Sequence, residues 1–197
     1  MSNVQAPYGF RWVRNLSGGA PTYQVTTAYI LASYATQIFK GDVVTWASGY
    51  INLATPGTTT IAGIFDGCEW QSQAMKQPRW SNYWPGSDAP SGGYVKCQII
   101  TDPFAVFQAQ SNGSAITQAN VDENINFASG AGNTSTGFSG QSLNQSTLAT
   151  TSTLPFRVIN VGGPTSVNNF IGSDNTSSYN SVEVVFNNAM LRNLTSV

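Results

Sequence analysis

The sequence predicts an all-β fold, a small β-barrel or sandwich with an extended N-terminal arm and long polar loops. Short runs rich in Val, Ile, Thr and aromatic residues recur between Gly- and Pro-containing turns, the pattern of barrels and sandwiches. Sustained helical periodicity is missing. The one helix-like segment, between Ser114 and Phe127, makes Thr117 the cap of a short turn through Val121 and is too polar to bury an apolar stripe.

In chain order, residues 1–21 form the arm. Tyr8, Phe10 and Trp12 alternate with Gly9, Arg11 and Val13, an extended pattern. With Arg11 and Arg14 they suit contact with a neighbouring molecule, because Trp, Tyr and Arg dominate interface hot spots. The same alternation also fits an edge strand of the chain's own sheet.

Residues 22–197 read as a single β-rich domain. Tyr23–Tyr29 is β-branched and aromatic, and Gly41-Asp42 turns the chain into a strand at Val43–Trp46. Ser48-Gly49 makes a hairpin with Tyr50–Leu53, Pro56-Gly57 leads to a strand over Thr58–Ile64, and the sheet continues to Trp70. Residues 71–93 are a loop excursion with Trp80, Tyr83 and Trp84 among Pro78, Pro85 and Pro90. Further strands follow at Tyr94–Ile100, Phe104–Gln108, Leu154–Val161 and Val182–Phe186. The low-complexity segment 128–153 fits either a flexible loop or polar strands, and a loop spans 162–181. Ile38, Val43, Ile51, Ile61, Ile64, Cys97, Ile99, Val158 and Val184 are expected in the core.

Composition limits the chemistry. The 197 residues include no histidine, 8 Lys+Arg and 9 Asp+Glu, against 72 Ser, Thr, Asn and Gln. Histidine is the usual titrating and metal-binding group near neutral pH, so a Ser-His-Asp triad and a His/Cys metal cluster are excluded. No cofactor is expected, and the chain reads as non-enzymatic. A net charge of −1 offers no basic surplus for nucleic acid, and no run approaches a membrane span. The opening residues lack the basic and apolar regions of an export signal. Cys68 and Cys97 therefore read as reduced core residues. Charge is segregated: residues 1–40 carry Arg11, Arg14 and Lys40 without an acid, and 97–156 carry Asp102, Asp122 and Glu123 without a base.

Two constellations invite a functional reading. Asp66 and Glu69 form a carboxylate pair beside aromatic residues, as a glycosidase requires, but their odd spacing on one strand puts them on opposite faces. Trp70, Trp80, Tyr83 and Trp84 fit a sugar-stacking platform, or the packing of a long loop onto the domain or a neighbour.

Seven stretches, in order over nearly the whole chain, resemble tailed-phage proteins that decorate or cement the head. They are Asn-Val-Gln-Ala-Pro-Tyr-Gly-Phe-Arg-Trp-Val-Arg (3–14), Ile-Phe-Lys-Gly-Asp-Val-Val (38–44), Ile-Ala-Gly-Ile-Phe-Asp-Gly (61–67), Asn-Tyr-Trp-Pro (82–85), Asp-Pro-Phe-Ala-Val-Phe (102–107), Leu-Pro-Phe-Arg-Val-Ile (154–159) and Val-Glu-Val-Val-Phe-Asn (182–187). The resemblance implies a β-rich protein on the capsid exterior, assembled in the host cytoplasm, that bridges major capsid protein subunits, commonly as a homotrimer at three-fold positions. Tyr8, Phe10, Arg11, Trp12, Arg14, Trp80, Tyr83 and Trp84 are the contact residues expected. The rival expectation is a receptor- or glycan-binding module on a virion or cell surface.

Overall fold

The chain folds as a β-sandwich; the described residues are 45% strand and 2% helix and form no closed barrel. The computed structural model describes residues 2–161 and 173–189, so residues 162–172 of the expected 162–181 loop lie outside the described residues. The strands are β1 Arg11–Asn15, β2 Thr26–Leu31, β3 Ile38–Phe39, β4 Val43–Ala47, β5 Tyr50–Leu53, β6 Gly63–Gln71 and β7 Pro78–Ser81. They continue with β8 Tyr83–Trp84, β9 Tyr94–Ile100, β10 Ala105–Gln110, β11 Asn124–Ala128, β12 Ser142–Ala149, β13 Phe156–Asn160 and β14 Ser181–Phe186. The first sheet runs β1-β10-β14-β13-β11-β12; the second runs β2-β9-β6-β4-β5, with β7 also paired to β6. A small third sheet pairs β3 with β8.

Alternation sets the faces. In β9, Val95, Cys97 and Ile99 are fully buried while Tyr94 stands in solvent. All nine residues expected in the core are fully buried. Two apolar clusters result. One joins the inner face of the first sheet to Val43, Ile64 and Ile100 of the second and to Ile61 just ahead of β6. The other lies beneath the second sheet, where Trp70 and Trp84 meet edge to face at 5.4 Å. Each fully buried large apolar side chain contributes roughly 1.5–3 kcal/mol.

Several boundaries differ from the sequence expectation. The Tyr23–Tyr29 strand starts only at Thr26, because Tyr23 takes φ +52° in the left-handed region and stands exposed. Of Thr58–Ile64, only Ile61 bridges, to Ala189, before β6 begins. The excursion holds β7 and β8, so the Pro-framed segment is itself sheet. In 128–153 the polar-strand alternative holds: β12 pairs with β11 from Ser142 to Ala149. Thr117 does precede a short 3-10 turn, Gln118–Asn120.

The N-terminal segment belongs to the sandwich. Residues Arg11–Asn15 form the edge strand of the first sheet, paired to β10. Ahead of it, Gln110 holds the backbone at both Val4 and Ala6, Asn3 bonds to Asp174, Ser177 and Ser178, and the Tyr8 hydroxyl meets Ser181 Oγ at 3.0 Å. The edge-strand alternative is therefore the one realised for 11–15, in place of a free arm over 1–21. The reason is burial. Phe10 is 3% exposed and stacks on Phe156 at 4.5 Å, and Trp12 is 6% exposed.

The tight turn Phe39–Asp42 fastens this segment to the rest. Gly41, at φ +93°, accepts from Phe10 N and donates to Phe65 O, while Lys40 exchanges backbone bonds with Gly137 and Ser139. A Cβ at Gly41 would stand 3.2 Å from Phe10 N, so glycine is needed there for both conformation and approach. Buried Asp42 accepts from Phe39 N and from Ser139 Oγ, and Gln141 Oε1 accepts from Val43 N.

Candidate functional site

Two surface features gather the side chains capable of recognition. The first is a cleft of about 490 Å³ at the N-terminal edge, lined by Tyr8, Arg11, Trp12, Tyr23, Lys40 and Phe138 among others. Its position follows from the Phe39–Asp42 turn, which sets Lys40 opposite β1. Lys40 pairs with Asp66 at 2.8 Å, and Trp12 and Tyr23 meet at 5.8 Å. Burial raises the Tyr8 hydroxyl above its usual pKa, against the opposing pull of the Ser181 hydrogen bond and the Arg11 charge. Among the described residues no ion pair neutralises Arg11. The lining charges sum to +1, from Arg11, Lys40 and Asp66.

The second is a groove of about 630 Å³ on the outer face of the second sheet, walled by Trp80 and Tyr94, each 65% exposed. The register places Trp80, Glu69, Lys96 and Tyr29 side by side across β7, β6, β9 and β2. This alignment depends on a bulge. The β6–β9 register shifts between Phe65 and Gly67, so Phe65 and Cys68 both point inward, and Glu69 and Gln71 are left outside. Gly67, at φ +152°, lies beneath the indole: a Cβ there would meet Trp80 Cζ2 at an ordinary contact distance of 3.5 Å and Ser81 O at a tight 3.1 Å. Lys96 Nζ pairs with Glu69 at 2.7 Å, which raises the Lys96 pKa by hydrogen bonding and charge.

The predicted site residues do not form one site. Tyr8, Phe10, Arg11 and Trp12 share the cleft, with Phe10 and Trp12 showing little surface. Arg14 turns away to pair with Glu183 at 2.7 Å. Of the excursion trio Trp80 is the one that stands well exposed, at 65%. Tyr83 stacks on Phe39 at 5.3 Å, and Trp84 is 0% exposed, its Nε1 donating to Tyr34 O. Trp84 is a core residue, and Trp70 is buried against it, so neither belongs to an exposed platform. Tyr94, which the sequence reading placed only as the start of a strand, is the ring that completes the wall with Trp80.

No protein-family model, curated protein or solved structure matches this chain.

The carboxylate pair singled out in the sequence is split between the two features. Asp66 serves the cleft and Glu69 the groove, each tied to its own lysine. Cys68 and Cys97 face each other across β6 and β9 as free buried thiols, and desolvation pushes both pKa values up, away from the reactive thiolate. Among the described residues there is no group of three or more His, Cys, Asp or Glu able to hold a metal ion, and no helix long and apolar enough to cross a membrane.

Proposed function

We propose that this chain is a non-enzymatic virion structural protein that binds the outer surface of a phage capsid and cements neighbouring major capsid protein subunits. The observation that carries the reading is the N-terminal cleft. An aromatic recess beside a guanidinium that no carboxylate among the described residues neutralises is suited to a protein segment bearing an apolar side chain and an acid. Four residues of the opening stretch that resembles head-decoration proteins, Tyr8, Phe10, Arg11 and Trp12, line it. Mounting the cleft on an edge strand whose aromatics are anchored in the core gives it rigidity, so little ordering entropy opposes docking. A nearly uncharged chain also gains from association with itself, and a homotrimer at lattice three-fold positions is part of the proposal. Neither nucleic acid nor membrane is a partner in it.

The test is co-sedimentation with undecorated heads built from the cognate major capsid protein. The native chain should pellet with heads, and Arg11→Glu, an exposed change, should weaken pelleting by about tenfold or more without altering the melting temperature. A native chain that stays in the supernatant, or an Arg11→Glu chain that pellets like the native one, overturns the reading.

A further inference from the structure

The groove on the second sheet is separate from the cleft and differs from it in chemistry. Its two large rings sit on β7 and β9, with β6 between them, and neighbouring strands lie about 4.8 Å apart, so the rings stand on strands ~10 Å apart. Trp80 is seated over Gly67, and Tyr94 is braced edge-on by Tyr29 at 5.1 Å and 86°. Between them the Glu69–Lys96 pair remains open to water, its side chains 50% and 42% exposed, with Gln71 beside it.

We propose that this face binds an uncharged oligosaccharide. The C–H faces of pyranose rings stack on the indole and phenol, and the spacing of the two strands fits stacking points about a disaccharide apart. Sugar hydroxyls donate to the Glu69 carboxylate and accept from Lys96 and Gln71. Glu69 and Lys96 cancel between the rings, so the floor of the groove presents no net charge to a ligand; the lining's remaining charge, Arg79, directs its guanidinium to Met75 Sδ, 2.8 Å away. A protein surface laid over the same groove would have to strip water from the ion pair, and interface cores are depleted of charged residues for that reason. Saccharide hydroxyls replace that water in kind. Two solvent-facing rings joined by polar groups, with no element packed over them among the described residues, are explained by such a ligand.

The probes are hexasaccharides of β-1,4-glucose, β-1,4-N-acetylglucosamine, α-1,4-glucose and α-1,6-mannose, titrated by calorimetry and by tryptophan emission against the full chain. At least one should bind with a Kd on the order of 1 mM or tighter. Trp80→Ala and Tyr94→Ala should each weaken it by about tenfold or more with unchanged melting temperature, and Glu69→Gln should weaken it without shifting tryptophan emission of the free protein. Failure of all four probes overturns the proposal, as does binding that survives Trp80→Ala. Preference for a uronic-acid or sialylated oligosaccharide over every neutral probe overturns the neutral ligand. Loss of self-association in Trp80→Ala, with no sugar bound by the native chain, assigns the face to a protein contact instead and overturns it equally.

Discussion

Asp42→Asn is the most informative single change in the frame. Asp42 is 3% exposed, and desolvation outweighs its bonds from Ser139 and Phe39 N, raising its pKa from 3.8 to about 6. At ~1.4 kcal/mol per unit, that rise is worth about 3 kcal/mol. Its sign is fixed by linkage. The folded chain binds this proton more tightly than the unfolded chain, so the contribution is complete below pH ~4 and is lost as pH rises through about 6. The asparagine keeps an acceptor for Phe39 N and removes the titration. Urea unfolding of both proteins, followed by circular dichroism at about pH 4 and about pH 7.5, gives two stability gaps whose difference cancels every other titrating group. The native chain's advantage over the variant should shrink by roughly 2.5 kcal/mol from the lower to the higher pH, the unfolded carboxyl being partly protonated at pH ~4. A gap constant to within about half a kcal/mol, or one that widens with pH, refutes the assignment of a buried, proton-holding carboxyl.

Two further outcomes test the core and the edge strand. Ile99→Ala, at a fully buried position, should cost about 2–5 kcal/mol by chemical denaturation, and a loss under about half a kcal/mol would place the side chain outside the core. Deleting residues 2–14 removes Phe10, Trp12 and most of β1, so the cooperative thermal transition seen by near-ultraviolet circular dichroism should disappear; a sharp, native-like transition in the truncated chain would show that the segment is dispensable.

What could be read from the sequence was local pattern. Tyr50–Leu53 and Tyr94–Ile100 are strands with the expected bounds, because Gly turns and strict alternation are local signals. What could not be read was which surface each pattern meets. Tyr8, Phe10 and Trp12 alternate identically whether the strand pairs with β10 or with another molecule. Trp80 and Trp84 sit in the same Pro-framed stretch, yet one crosses the outer face and the other fills the core, because β7 pairs with β6 and β8 with β3. The bulge before Gly67 reverses the parity of β6, and a one-residue shift of that kind leaves no trace in hydrophobicity. Strand β12 was legible only as one of two alternatives for 128–153, because it is built largely from Asn, Gln, Ser and Thr, with Leu143 alone fully buried.

The strand order of the two sheets has a consequence for synthesis on the ribosome. Every strand of the second sheet has emerged once Ile100 clears the exit tunnel, so that sheet can pair while translation continues. The first sheet cannot. Its strand β14 lies between β10 and β13 near the middle of the sheet, so β1 and β10 are joined to the other half only through the Ser111–Leu143 bridge until Ser181–Phe186 arrives. Phe10 and Trp12, among the earliest side chains made, must wait for nearly the whole chain before their site is complete. The nascent protein therefore carries an unsheltered aromatic segment through most of its synthesis, and nonsense or frameshift products that stop short of β14 keep it exposed, a state prone to aggregation.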